Sequence, residues 1–459
     1  MLKKINQKIK EDLHLKELLS GASISFFLKI IGLGFGYIFT FLITRNYGAE
    51  VMGIYALSLV LLQFMVIFGK LGMDMAALRF MAEYFSKNKK EIAIDIYKKI
   101  IKIIIPLSFL ISLIIFYISP YIAIYIFHKK YMTAYFKIIA ICLVPFVLLS
   151  VNSECLRGLK KIKEYVILQN VGIPFLSSII LGLSLFIIKN TFMPIVVYVT
   201  SVYIMAFLSL LFWFRRLHQA GYDTNTEFFH DIMSVDGNQN IKNTISNPSS
   251  YKNILSISSP MFISGSLNTI LGYIDIIILG IYKTSSEVGI YSIVIKITSI
   301  IILSFSSINA VVAPKFAEFW GKGDKKKLLT IARQSTRIIF FSSLPVVLVI
   351  MFFPYYILGI FGSEFKTGAL ALIMIAFGQF VNAISGSVEL ILQMTGFQIF
   401  VQNVFIASFT INVLLNFILV PRYGINGSAF ASMVTLIFLN LVMSIKVRNI
   451  LGGLVAYGI

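Results

Sequence analysis

Residues 36–55 read GYIFTFLITRNYGAEVMGIY, and residues 272–291 read GYIDIIILGIYKTSSEVGIY. Gly-Tyr-Ile opens both stretches and Gly-Ile-Tyr closes both, so each tripeptide recurs at a shift of 236 residues. Arg79-Phe80 with Lys315-Phe316, and Lys89-Lys90 with Lys325-Lys326, keep the same shift. Four matches in one gapless register mark an internal duplication rather than chance in an Ile/Tyr-rich chain.

The surrounding sequence says what is duplicated. Of 459 residues 58% are hydrophobic and only 13% charged, where a soluble domain carries about 25% charged residues. Such a chain has too little polar surface to cover a water-soluble globule and reads as an integral membrane protein. Runs long enough to cross the bilayer lie near 20–44, 53–71, 100–127, 136–156, 165–188, 192–214, 254–282, 288–313, 337–361, 369–393, 397–420 and 427–446. The expected fold is an all-α polytopic membrane protein with twelve transmembrane helices. The repeat lays the seventh run on the first and the eighth on the second. Six spans separate the copies, an even number, so both halves share one orientation. This predicts two parallel-repeat six-helix lobes, 1–214 and 253–459, joined by a cytoplasmic linker at 215–252 that is rich in Asn, Ser, Asp and Gly.

The net charge of +20 then has a topological reading. Nucleic-acid binding is the usual inference from such a balance, but those proteins keep a soluble core, and no nucleic-acid partner is expected. With the N-terminus in the cytoplasm, 29 Lys and Arg fall on the cytoplasmic side, 8 on the other, and Lys29, Lys70 and Lys296 within spans. By the positive-inside rule both termini are cytoplasmic, in the cytoplasmic (inner) membrane. The first apolar run is too long for a signal-peptide core and lacks a small-residue cleavage site.

Soluble chemistries find no signature. Cys142 and Cys155 form neither a CxxC pair nor a disulfide framework, and His14, His128, His218 and His230 lie far apart without HExxH spacing. There is no GxxxxGK[ST] phosphate loop and no GxSxG elbow. No enzyme activity, metal or cofactor is expected.

Gly21-Ala22-Ser23, the segment Thr44-Arg45-Asn46-Tyr47-Gly48-Ala49-Glu50-Val51-Met52-Gly53-Ile54-Tyr55 and Leu78-Arg79-Phe80-Met81-Ala82-Glu83-Tyr84 resemble the polysaccharide-biosynthesis flippases. These belong to the multidrug/oligosaccharidyl-lipid/polysaccharide exporter superfamily. The second half carries a counterpart in Gly272-Tyr273-Ile274-Asp275, Glu287-Val288-Gly289-Ile290-Tyr291 and Lys296. The resemblance runs from about residue 20 to 447 and is silent on the sugar. At 45–47 the family more often has Arg-Leu-Leu. The resemblance implies two lobes around a central cavity and alternating access without ATP hydrolysis. It also implies translocation of an undecaprenyl-diphosphate-linked oligosaccharide, as in O-antigen, lipopolysaccharide or capsule assembly, beside other polysaccharide-assembly proteins.

Ionisable groups inside spans are costly, and each is a candidate site. Lys29 lies roughly 14 Å along the first span at 1.5 Å per residue, on one face with Ser25, Gly32, Gly36 and Thr40. That stripe reads as a cavity wall or as close helix packing with a snorkelling lysine. Asp275 and Lys296 lie at similar depth on consecutive spans; they read as a structural ion pair, or as a lysine that meets the lipid diphosphate and is held by Asp275 meanwhile. Arg45, at the outer end of the first span, is expected to assist release. Gln379, Asn382, Gly386, Glu389 and Gln393 form one polar stripe along the tenth span, joined by Gln402, Asn412 and Asn416 on the eleventh. This stripe suits sugar hydroxyls or helix packing, with Glu389 a candidate for a coupling ion, proton or sodium. Arg79 and Lys315 begin the amphipathic segments Met73–Lys90 and Val311–Lys326, expected along the inner surface among anionic lipid headgroups, with a gating role. The competing functions are a multidrug cation exporter of the same superfamily, which needs an acidic cavity, and a membrane polymerase or ligase of lipid-linked sugars, which needs a large outer loop.

Overall fold

A computed structural model describes residues 13–187, 189–219 and 250–455, so most of the linker expected at 215–252 lies outside the described residues. Every regular element in them is helical. The chain divides into two compact units, one of residues 1–42 and 58–270, the other of 43–57 and 271–459.

The first helix, α1 (Leu13–Lys70), runs through the first two apolar stretches and is broken in backbone geometry at Gly48 (φ 80°). Gly72, left-handed at φ 71°, turns the chain into α2 (Met73–Ser86). There Met73, Ala76, Ala77, Phe80, Met81 and Tyr84 are buried at helical spacing, the apolar stripe of an amphipathic helix. Then come α3 (Lys90–Tyr121), α4 (Met132–Ile141) and α5 (Leu143–Gly158). The last two are bent by 41° to each other and are long and apolar enough to cross a membrane only when taken together. The short α6 (Ile162–Val166) passes through a π-helical turn, Ile167–Val171, into α7 (Gly172–Ser184), and α8 (Met193–Gln219) follows. A buried polar chain ties α3, α5 and α8, with Tyr97 donating to Asn152 Oδ1 (2.8 Å) and Asn152 Nδ2 donating to Ser209 Oγ (3.0 Å).

After α9 (Tyr251–Tyr282) comes α10 (Ser285–Gly321). It starts at a capping box in which Glu287 N donates to Thr284 Oγ1 (3.3 Å) and Thr284 N to Glu287 Oε2 (3.2 Å). The remaining helices are α11 (Lys325–Phe352), the single-turn α12 (Pro354–Gly359), α13 (Ala369–Ser385), α14 (Val388–Met394) and α15 (Gln398–Leu451), with a 3₁₀ segment at Ser363–Gly368. A second positive-φ glycine, Gly424 (φ 56°), breaks α15. Among the described residues eight helices are long and apolar enough to cross a membrane, nine with the bent α4–α5 pair. This number falls below twelve in part because α1 and α15 each join two apolar runs across a glycine.

The repeated Gly-Ile-Tyr tripeptides meet in the second unit. A Cβ built on Gly53 would lie 1.7 Å from the Ser285 carbonyl oxygen, and one on Gly289 would lie 2.0 Å from that of Ala49. Ala49 and Ser285 are related by the repeat shift, as are Gly53 and Gly289. Two small-xxx-small steps therefore cross backbone to backbone, the contact only glycine permits. The second amphipathic segment differs from its counterpart. Residues 311–321 continue α10 without a turn, because no left-handed glycine interrupts them as Gly72 interrupts α1 and α2.

Candidate functional site

The second unit holds a buried carboxylate whose hydrogen-bond partners among the described residues are all neutral. Asp275, on α9, is 9% exposed. Its Oδ2 accepts from the Tyr291 hydroxyl (2.9 Å) and from Ser432 Oγ, and its Oδ1 accepts from Asn416 Nδ2 (2.8 Å). A second layer fixes the first: Asn416 Nδ2 also donates to the Asn412 carbonyl oxygen (2.9 Å), and Ser428 Oγ donates to Asn416 Oδ1 (2.9 Å). The residues come from α9, α10 and both halves of α15, and the break at Gly424 brings the i,i+4 pair Asn412/Asn416 against the i,i+4 pair Ser428/Ser432. Among the described residues Asp275 has no cationic partner within ion-pair distance. A carboxylate buried this way demands a compensating positive charge. The oxygens of Asp275, Tyr291, Asn412, Ser428 and Ser432 suit a proton or an alkali cation.

This arrangement corrects the pairing expected between Asp275 and Lys296. Lys296, half-buried on α10, forms no ion pair with Asp275, whose oxygens are engaged by hydroxyls and an amide. The expected polar stripe of the tenth span is also corrected. Gly386 (φ 69°, ψ −152°) ends α13, and a Cβ there would meet Thr336 Oγ1 at 1.9 Å. Gln379 and Asn382, bonded to each other at 3.4 Å, therefore sit on α13, whereas Glu389 and Gln393, bonded at 2.9 Å, sit on α14. Broken helices at membrane depth are tolerated where protein or a cavity covers them.

In the first unit Lys29 is exposed. Of its stripe partners Gly32 packs closely, since a Cβ there would lie 2.2 Å from the Asn170 carbonyl oxygen in the π-helical turn, whereas buried Thr40 donates to Gly36 O of its own helix (2.8 Å). Arg79 on α2 and Lys315 on α10 are exposed. Arg45 is exposed as well and donates to the carbonyls of Ile360 (2.7 Å) and Gly359 (3.3 Å). Sequence reasoning missed Tyr291, Ser428 and Ser432, although the two serines four apart after Gly424 were a usable signal. It also left aside buried Asp74, held by Lys70 at 2.6 Å across the Gly72 turn, and the Arg157–Glu154 pair at 3.2 Å. Among the described residues no group of three or more His, Cys, Asp or Glu is placed to hold a metal.

Comparison with known proteins adds the following. The sequence profile described as Polysaccharide biosynthesis protein matches residues 18–320, and that described as MatE matches 260–418. A probable low-salt glycan biosynthesis flippase, Agl15, of Haloferax volcanii is 26% identical over 161 residues, covering 35% of this chain and 34% of that protein. The match thus spans about a third of that relative's length. An uncharacterized membrane protein of Methanocaldococcus jannaschii is 25% identical over 416 residues, 88% of this chain and 91% of that one. In fold, the chain is similar to the lipid II flippase MurJ in an inward closed conformation (TM-score 0.70, 14% identity, 94% of this chain and 87% of that one). It is also similar to an inward-facing multidrug resistance MATE family transporter (TM-score 0.66, 16% identity, 94% and 98%).

Proposed function

The chain belongs to the polysaccharide biosynthesis protein family, and from that premise we propose that it is a flippase for a polyprenyl-diphosphate-linked oligosaccharide, carrying it from the cytoplasmic to the outer leaflet for surface-polysaccharide assembly. Both termini are then cytoplasmic, and twelve spans form two lobes, 1–214 and 253–459, that alternate access by rocking. The 29-to-8 charge count supports the orientation, and the gapless 236-residue repeat supports the two halves.

The observation that carries the mechanism is that the hydrogen-bond partners of Asp275 are neutral side chains and not Lys296. Asp275 is engaged by Tyr291, Asn416 and Ser432, so the two charges act as distinct devices. A diphosphate and a sugar chain crossing hydrocarbon need cations to offset desolvation, and charge-assisted hydrogen bonds supply it in a low dielectric. Lys29 and Lys296 serve as those cations, while Gln379 and Asn382 contact sugar hydroxyls. Asp275 takes the coupling proton or sodium ion, with Glu389 a second carboxyl in the same unit. Arg79 and Lys315 hold the cytoplasmic bases against anionic headgroups and guide the gate.

Replacing Lys296 by Ala abolishes flipping in cells at normal protein levels while the protein still folds; unchanged flipping removes Lys296 from the mechanism. The MatE match and the acidic Asp275 and Glu389 favour one second reading, export of organic cations. Raised drug accumulation in cells lacking the protein, with lipid-linked sugars unchanged, would select it.

A further inference from the structure

A second cationic site stands apart from the intramembrane residues, in the second unit. A cavity of about 660 Å³ is lined by Arg45, Tyr355, Tyr356, Gly359, Ile360 and Lys366. It is built around a helix too short to hold itself, since α12 has six residues and isolated helices need about 12–15. Arg45 steadies its end by donating to the Ile360 and Gly359 carbonyls. Lys366 comes to the same place: a Cβ on Gly359 would touch Lys366 Cε at 3.0 Å. Two cations thus converge on one glycine. No carboxylate lines the cavity; the nearby Glu364, which accepts from Ala49 N at 2.7 Å, sets one negative charge beside the two positive ones.

Capping one short helix needs one cation. The second cation and the open volume beyond it call for an anionic occupant. The charge of the Arg45 guanidinium, whose Nε and Nη2 are held by the two carbonyls, and the ammonium of Lys366 together suit phosphoryl oxygens. Tyr355 and Tyr356 are 61% and 78% exposed, and Phe352 and Phe353 beside them 73% and 52%. Such a girdle of aromatic rings belongs at headgroup depth, where lipid phosphates lie. Tyrosine faces and hydroxyls at the rim suit a sugar ring.

We propose that this cavity binds the phosphoryl headgroup of an isoprenoid lipid at the outer surface, as the last station of the transported lipid before it enters the outer leaflet. Two adjacent cations match the two phosphates of a diphosphate better than the single phosphate of a bulk phospholipid. The site's role, though not its chemistry, rests on the flippase reading and its orientation.

The test uses the full chain in sealed phosphatidylcholine vesicles. Phe353→Cys places a reporter thiol whose parent ring lies 6.2 Å from that of Tyr356, and the native Cys142 and Cys155 are buried. A membrane-impermeant maleimide then reads access to the site, with farnesyl diphosphate as the added probe. Farnesyl diphosphate is expected to slow labelling, and Arg45→Gln or Lys366→Gln each to raise the protecting concentration about tenfold. Lys366→Gln removes an exposed side chain, so its unfolding midpoint should match the parent and separate lost binding from lost fold. Absence of protection overturns the site. Full protection by phosphatidylglycerol alone, with no added effect of farnesyl diphosphate, overturns the isoprenoid assignment in favour of bulk headgroups. Protection in a protein that flips no lipid-linked sugar keeps the site and refutes the flippase reading.

Discussion

The reciprocal crossing of Gly53 and Gly289 makes a quantitative prediction. A methyl on Gly289 would sit 2.0 Å from the Ala49 carbonyl oxygen and one on Gly53 1.7 Å from that of Ser285. Ordinary contact begins near 3.4 Å, so either alanine forces the two helices about 1.4–1.7 Å apart at the crossing. The clash is with backbone, so no rotamer change relieves it. Overpacking of this kind costs about 1–3 kcal/mol, and Gly53→Ala and Gly289→Ala should each destabilise the protein by about 2 kcal/mol. The double variant should cost at least about 1 kcal/mol less than the sum, because the gap opened by one methyl receives the other. Denaturant unfolding in detergent micelles, followed by tryptophan fluorescence, measures all three. Single costs below about 0.5 kcal/mol, the range of neutral substitutions, would refute the close approach. Strict additivity would refute its reciprocity.

Further expectations concern the buried polar groups and the helix breaks. Asp275→Asn keeps an acceptor and removes the charge, so the protein should stay folded while flipping loses its dependence on the ion gradient. Asp275→Leu strands the Tyr291, Asn416 and Ser432 donors and should cost about 3 kcal/mol or more in unfolding free energy. Gly386→Ala meets both the positive φ and Thr336 Oγ1 at 1.9 Å; it should cost about 3 kcal/mol, of which Thr336→Ala restores part but not the backbone strain. Lys70→Gln removes the cation that lies 2.6 Å from buried Asp74 and should destabilise the first unit by about 2 kcal/mol. A matching loss in Asp74→Asn would show that the pair, rather than either side chain, sets the effect.

The positions of the apolar runs, the internal repeat and the excess of cations were legible because each is a local or periodic property of the chain. The amphipathic face of α2 was legible for the same reason. What escaped the sequence is set by distant partners. Asp275 and Lys296 lie near each other in span order, yet the donors that satisfy Asp275 come from positions 16, 141 and 157 residues away. Gln379 to Gln393 fit one helical face only while the backbone stays helical, and the identity of Gly386 alone does not announce φ 69°. Gly48 and Gly424, which fall between the apolar runs 20–44 and 53–71 and 397–420 and 427–446, are where the backbone of α1 and of α15 leaves helical geometry. The Arg45–Lys366 cavity joins residues more than 300 positions apart, and no spacing rule connects them.

The central claim is movement of a lipid-linked oligosaccharide. Its most direct test is removal of the gene, followed by extraction and leaflet assignment of polyprenyl-diphosphate-linked oligosaccharides. The account predicts that a complete oligosaccharide accumulates on the cytoplasmic leaflet and that surface polysaccharide is lost, both restored by the native chain and neither by Lys296→Ala. No accumulation, with surface polysaccharide intact, would contradict it.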